Sequence, residues 1–95
     1  MQFRFGSADL EALYKEGGKG ESRYSPDTVM QFMKLMQIIR AARDERDLRA
    51  FKGRRLEKLQ GNLQGSYAMR INNQFRLIFR LDKEEITIDA IEDYH

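Results

Sequence analysis

The sequence predicts an α+β fold, with an N-terminal strand and two helices packed on a mainly antiparallel, twisted sheet. Three observations predict it. Bulky residues alternate through most of residues 67–91, the pattern of strands with one face on a core. Over residues 26–42 apolar residues recur instead at helical spacing. The chain has 95 residues with 41% hydrophobic side chains, which suits one domain, residues 1–95, with one core.

Met1, Phe3 and Phe5 occupy alternate places and suit a short first strand. Ser7 is placed to cap a short helix, with Asp9 and Glu11 near its positive end. Leu10, Leu13 and Tyr14 form its apolar stripe, and Gly17 and Gly18 stop it. Residues 17–22 read as a polar, glycine-rich connection. Their Gly-Gly-Lys-Gly run lacks the Walker spacing and a preceding strand, so it is a linker and not a phosphate loop.

The second helix is the clearest element. Ser25 is a good N-cap, Pro26 fits the first helical position, and Asp27 adds favourable charge there. Val29, Phe32, Met33, Met36 and Ile39 share a face that Leu35, Ile38 and Ala42 widen. The methionines read as core filler and not as ligands. The helix is predicted to fade around residues 43–45. Residues 55–60 are ambiguous by pattern, because Leu56 and Leu59 are three apart. Gly61 and Gly65 bracket a turn. Strands follow in which Tyr67, Met69 and Ile71, then Phe75, Leu77, Phe79 and Leu81, then Ile86, Ile88 and Ala90 face the core. Residues 82–85 form a charged turn between the last two.

The absence of cysteine excludes a disulfide framework and a thiolate metal site. No apolar run resembles a signal peptide or approaches a membrane span, so a cytoplasmic protein without membrane contact is expected. Net charge is only +2, but residues 40–58 carry eight bases (Arg40, Arg43, Arg46, Arg49, Lys52, Arg54, Arg55, Lys58) against four acids. Such a segment is either a phosphate-facing surface or a solvated charged connection.

The face pattern decides the central hairpin. A two-residue loop at Asn72-Asn73 would mix apolar and charged residues on one face. A three-residue loop, Asn72-Asn73-Gln74, pairs Ile71 with Phe75, Met69 with Leu77 and Tyr67 with Phe79, and asparagine tolerates the left-handed conformation expected there. Arg70 then opposes Arg76 on the side away from the core. Opposed like charges destabilise a sheet, unless an anion such as phosphate lies over them, the two guanidinium groups swing apart, or carboxylates neutralise them. A four-residue loop at 82–85 places Ile91 opposite Arg76 and gives Asp93 and His95 the face parity of Arg76. Metal-free RNA cleavage needs a base for the 2′-hydroxyl, cations for the phosphoryl oxygens and an acid for the departing 5′-oxygen. Arg76, with Arg70, Arg55 or Lys58, can supply the cations. Asp93, Tyr94 and His95 can supply proton transfer, although a lone terminal histidine is usually an ordinary surface residue. No metal cluster, nucleophile triad or dinucleotide motif competes.

Two runs carry a resemblance. They are Arg55-Leu56-Glu57-Lys58-Leu59-Gln60-Gly61 and Gly65-Ser66-Tyr67-Ala68-Met69-Arg70-Ile71-Asn72-Asn73-Gln74-Phe75-Arg76-Leu77-Ile78-Phe79-Arg80. With the ending Ile91-Glu92-Asp93-Tyr94-His95, they resemble the HigB-type toxins of the RelE/ParE superfamily over about the last half of the chain. The resemblance implies a RelE-like fold, a strand at residues 55–60, and ribosome-dependent cleavage of mRNA in the A site without metal or cofactor. It also implies silencing by a HigA-type helix-turn-helix antitoxin. Arg76, Asp93, Tyr94 and His95 match the motif's functional places. Arg55 and Lys58, with Lys52, Arg54 and Arg70, are the candidate RNA and phosphate contacts. Gln60 departs from the lysine of many relatives, and Arg80 or Leu81 from their aromatic residue. The missing lysine removes a phosphate contact and touches the strength of the activity more than its type. The competing readings are a ParE-like inhibitor of DNA gyrase that cuts no RNA, and an inactive remnant that still binds its antitoxin.

Overall fold

The computed structural model describes residues 1–17, 23–83 and 85–93. In chain order it shows β1 (Gln2–Phe5), α1 (Ala8–Glu16), α2 (Pro26–Ala41), α3 (Glu45–Arg49), β2 (Glu57–Lys58), β3 (Ser66–Arg70), β4 (Phe75–Asp82) and β5 (Glu85–Asp93). The strands form one sheet in the order β1-β5-β4-β3-β2. Among the described residues only the β1–β5 pair is parallel, so the expected α+β class and mainly antiparallel sheet are observed. Of the expected 17–22 connection, residues 18–22 lie outside the described residues.

Local chemistry places the helix ends where the sequence put them. The Ser7 hydroxyl accepts from the Leu10 N–H, and Gly17 ends α1 in the left-handed conformation at φ 60°. The Ser25 hydroxyl accepts from the Thr28 N–H at 3.1 Å, with Pro26 beginning α2. Phe32, Leu35, Met36 and Ile39 on α2 are fully buried against Met69, Leu77, Phe79, Ile86 and Ile88 of the sheet. This is the core, and it matches the predicted helix stripe and strand faces.

Residues 43–58 depart from expectation. A third helix, α3, begins where α2 was expected only to fade. The Asp44 carboxylate caps it by accepting from the Arg46 N–H, and Leu48 drives it into the core. One apolar residue in a charged run is too weak a periodic signal to read in advance. The run is therefore not a loose connection: Arg43 pairs with Asp47, Arg46 with Asp44 and Arg49 with Glu45. The strand expected over residues 55–60 shrinks to Glu57–Lys58. Arg55 precedes it in the left-handed region at φ 52°, closing a 3-10 turn over Lys52–Arg54.

The three-residue hairpin loop is observed. Tyr67 pairs with Phe79, Met69 with Leu77 and Arg70 with Arg76, and the Ile71 N–H donates to the Phe75 carbonyl at 2.9 Å. The loop does not use the left-handed conformation that was expected. Non-glycine positive φ occurs among the described residues only at Arg55 and Lys83. Instead the Asn72 side-chain oxygen accepts from the Gln74 and Phe75 N–H groups, each at 2.9 Å, a side chain standing in for a backbone turn. Its amide also donates to the buried Thr28 hydroxyl at 2.9 Å, which fixes the loop to the start of α2.

The β4–β5 register follows expectation from Leu81↔Ile86 to Phe79↔Ile88, and Asp82 also pairs with Glu85 across a tighter turn. A bulge between Ile78 and Phe79 then shifts it by one. The extra residue is Asp89, whose carboxylate takes both ends of the Arg80 guanidinium at 2.7 and 2.8 Å. A Cβ at Gly6 would lie 2.8 Å from that carboxylate, so a larger residue there would have to displace the Asp89 side chain from its place beside β1. Beyond the bulge every residue changes face. Ile91, not Ala90, packs on the core. Glu92, not Ile91, lies opposite Arg76, and Asp93 lies opposite Phe75. No helix among the described residues is long and apolar enough to cross a membrane.

Candidate active site

The outer face of the sheet collects the chemistry. Arg76 lies there on β4, with a side chain 24% exposed. Its Nε and Nη2 donate to one Glu92 oxygen at 2.9 and 2.6 Å, and its Nη1 donates to Glu57 on β2 at 3.2 Å. Strands β2, β4 and β5 thus set one guanidinium between two carboxylates, with Glu57 reaching it across β3. Ala68 and Ile78 form the buried floor beside it. The bulge supplies Glu92, and the β2–β3 pairing Glu57↔Ala68 supplies Glu57.

Arg70 opposes Arg76 as expected, but the two guanidinium groups separate. Arg70 turns to the hairpin loop, where its Nε donates to the Asn72 carbonyl at 3.2 Å and its Nη2 donates to the Asn73 side-chain oxygen. The repulsion of the opposed pair is therefore relieved by two of the bland alternatives, divergence and neutralisation by carboxylates. Arg54 approaches from the 3-10 turn and donates to the Arg70 and Ile71 carbonyls at 3.3 and 2.8 Å and to Gln31 at 3.1 Å. Burial, and the nearby Arg70 charge, push the Arg54 guanidinium below its ordinary pKa.

The remaining basic candidates spread along this side. Lys52 joins Arg54 and Arg70 in lining a cleft of about 530 Å³. Lys58 stands over the Tyr67 ring, 5.9 Å from its centre, and lines a second groove with Gln60, the position where a lysine was expected. Arg55 is exposed. Tyr67 in turn bonds to Glu45. Burial and that bond raise the Tyr67 phenol above its ordinary value, while Arg49 and Tyr67 lower the Glu45 carboxyl.

Asp93 does not share the face of Arg76. It accepts from the Gln74 side chain at 3.0 Å, at the loop end of the sheet. Tyr94 and His95 lie outside the described residues. The sequence reading missed Glu57 and Glu92. Glu57 stands inside the quoted Leu-Glu-Lys-Leu run, but its partner depends on which strand β2 joins. Glu92 carried no signal, because only the bulge turns it towards Arg76. No group of three or more acidic, histidine or cysteine side chains that could hold a metal ion occurs among the described residues.

Comparison with known proteins completes the description. A family model for HigB-like toxins, described as "RelE-like toxin of type II toxin-antitoxin system HigB", matches residues 3–95. Toxin HigB-1 of Vibrio cholerae serotype O1 is 36% identical over 81 residues, which cover 84% of this chain and 83% of that protein. Among solved structures, a YoeB–YefM complex from Staphylococcus aureus is 26% identical with a TM-score of 0.63, covering all of this chain and 97% of that one. YafQ from Escherichia coli BL21(DE3) superposes with a TM-score of 0.66 over 98% of this chain and 92% of its own. At 14% identity that match speaks for the fold alone.

Proposed function

The chain belongs to the HigB-like toxin family, the RelE-like toxins of type II toxin–antitoxin systems, and from that premise we propose that it is a ribosome-dependent endoribonuclease that cleaves mRNA in the A site. The observation that carries this reading is the setting of Arg76. It is a partly exposed guanidinium on the open sheet face, held in place by Glu57 and Glu92. The two carboxylates orient this guanidinium and offset its charge, so its part in cleavage is to direct N–H donors at a phosphoryl oxygen and not to supply excess positive charge. The 2′-hydroxyl attacks the adjacent phosphorus, the bond to the 5′-oxygen breaks, and a 2′,3′-cyclic phosphate remains. A base takes the 2′-proton and an acid delivers one to the 5′-oxygen, so no metal need take part. Glu57, exposed beside Arg76, joins Tyr94 and His95 as a group for these transfers, whereas Asp93, turned to the other face by the bulge, is not placed for them. Lys52, Arg54, Arg55, Lys58 and Arg70 are assigned to phosphate and ribosomal RNA contact. The partner is an antitoxin of the HigA type, and the place of action is the cytoplasm.

The test is 5′-end mapping of mRNA from translating ribosomes incubated with purified protein, beside free mRNA. Cuts are expected within the A-site codon, only with ribosomes. Arg76→Ala lowers the cleavage rate by about 10²–10³, and His95→Gln abolishes the cuts, while both variants keep antitoxin binding. Intact mRNA in every lane would sink the nuclease reading in favour of a gyrase inhibitor or an inactive antitoxin binder.

A further inference from the structure

The cleft of about 530 Å³ between the start of α2, the 3-10 turn and the β3–β4 loop has a composition that phosphate contact alone does not explain. Phe51 lines it and is 47% exposed, one of three large apolar side chains so open among the described residues. Its neighbour Gly53 leaves the rim uncovered, since a Cβ there would meet nothing within 4 Å. Lys52, Arg54 and Arg70 line the same cleft against a single carboxylate, Asp27.

None of these three cations takes part in an ion pair among the described residues. Arg4, Arg43, Arg46, Arg49, Arg76 and Arg80 all do. Arg54 and Arg70 are nonetheless fixed: Arg54 is anchored to two backbone carbonyls and the Gln31 amide, and Arg70 to one backbone carbonyl and the Asn73 amide. Two pre-positioned guanidinium groups with N–H groups to spare, without a carboxylate to neutralise them, make an anion site. An anion there also relieves their mutual repulsion. An open aromatic face beside it accepts a planar base, because every base offers a π-face. Arg70 is the direct cross-strand partner of Arg76, so the two backbones lie about 5 Å apart while the side chains diverge, Arg70 towards the cleft and Arg76 towards Glu57 and Glu92.

We infer that this cleft is a nucleotide subsite for single-stranded RNA, in which a base stacks on Phe51 while the adjoining phosphate lies between Arg54 and Arg70. The subsite rests on the reading of the chain as an RNA-cleaving toxin and extends it along the strand, beyond the phosphate at Arg76. Its role is to hold the RNA in register and to favour strands that present an unstacked base at that place.

The test measures binding of the full chain to a short 2′-O-methyl RNA, which has no free 2′-hydroxyl to attack, by fluorescence anisotropy. A second oligonucleotide carries one abasic site. Phe51→Ala is expected to weaken binding by about 5- to 150-fold, the range for one lost stacked base. Phe51→Tyr restores most of it, and the abasic oligonucleotide binds parent and Phe51→Ala alike. Arg70→Gln lowers the salt dependence by about one phosphate contact, which keeps the idea testable should Phe51→Ala fail to fold. Equal binding by parent and Phe51→Ala, no binding by the parent, or a loss confined to antitoxin binding would overturn the subsite. The two readings fail separately. Phe51-dependent binding without cleavage on ribosomes removes the nuclease reading and leaves the subsite. Arg76-dependent cleavage with Phe51-independent binding does the reverse.

Discussion

Arg76 and its two carboxylates give different weights to neighbouring acids. Glu92 takes two bonds from the guanidinium and lies 38% exposed, whereas Glu57 takes one and lies 59% exposed. Glu92 is thus placed to orient Arg76, and Glu57 is open enough to exchange a proton with substrate. On the proposed cleavage, Glu57→Gln keeps the shape and removes a candidate base. Its expected cost in the cleavage rate is about 10²–10⁴, typical of a lost general base, with the alkaline limb of the pH profile retained. Glu92→Gln is expected to cost less and to leave the shape of the profile unchanged, because it loosens Arg76 without removing a proton acceptor. Single-turnover cleavage on ribosomes from pH 5 to 9 separates the two. Equal losses with equal profiles would show that both acids only hold the arginine.

At the scale of elements, the site depends on how the hairpin loop is tied to α2. Ser25 caps α2, its hydroxyl also donates to Thr28 at 3.0 Å, and Thr28 accepts from Asn72 at 2.9 Å. The cap, the buried hydroxyl and the loop amide form one chain of bonds, with Arg54 bracing the other side through Ile71 and Gln31. Ser25→Ala removes the cap and one partner of Thr28. A loss of about 1 kcal/mol is expected from the cap alone, read by denaturant unfolding. Because the loop carries Asn72 and Asn73, which line the cleft, the same variant is expected to weaken oligonucleotide binding. Unchanged binding at reduced stability would show that the loop holds its shape without α2.

For the molecule as a whole, α3 is docked by Leu48 and braced along its own length by exposed charge pairs. Leu48 is its one buried residue, and Asp44, Glu45 and Asp47 all titrate below their ordinary values, chiefly through hydrogen bonds from Arg46, Arg49 and Arg43. Acids whose folded pKa is depressed stabilise the fold fully above their unfolded values, 3.8 for Asp and 4.5 for Glu. That contribution is lost as pH falls through the lower folded values. Stability is therefore expected to fall on acidification below about pH 4.5, modestly, because exposed pairs are screened. Thermal melting from pH 7 to pH 3 checks this, with Glu45→Gln expected to flatten the acid limb. An acid limb identical in Glu45→Gln would remove this carboxylate from the account.

The sequence by itself determined the elements whose signals are local. Ser25-Pro26 and the 3.6-residue stripe behind it specify α2, because capping and one-sided burial act within a few residues of each other. The alternation around Asn72-Asn73-Gln74 determined the hairpin register and hence the Arg70–Arg76 opposition, because a slip by one residue would bury charge. The motif runs pointed to the family, and Arg76 was legible in them. Only the tertiary structure decided which acids stand beside it. Glu92 faces Arg76 because Asp89 is accommodated as a bulge against Gly6, and a bulge leaves little trace in an alternating pattern of Ile, Asp, Ala and Ile. Glu57 reaches Arg76 because a two-residue strand pairs with β3, a contact too short for propensity to announce. The same holds for the cleft, whose aromatic residue, 3-10 turn and hairpin loop come from separate parts of the chain. Periodicity records the burial of one face of one element, whereas a site made by neighbouring strands depends on register, and register past a bulge is set by packing between elements distant in sequence.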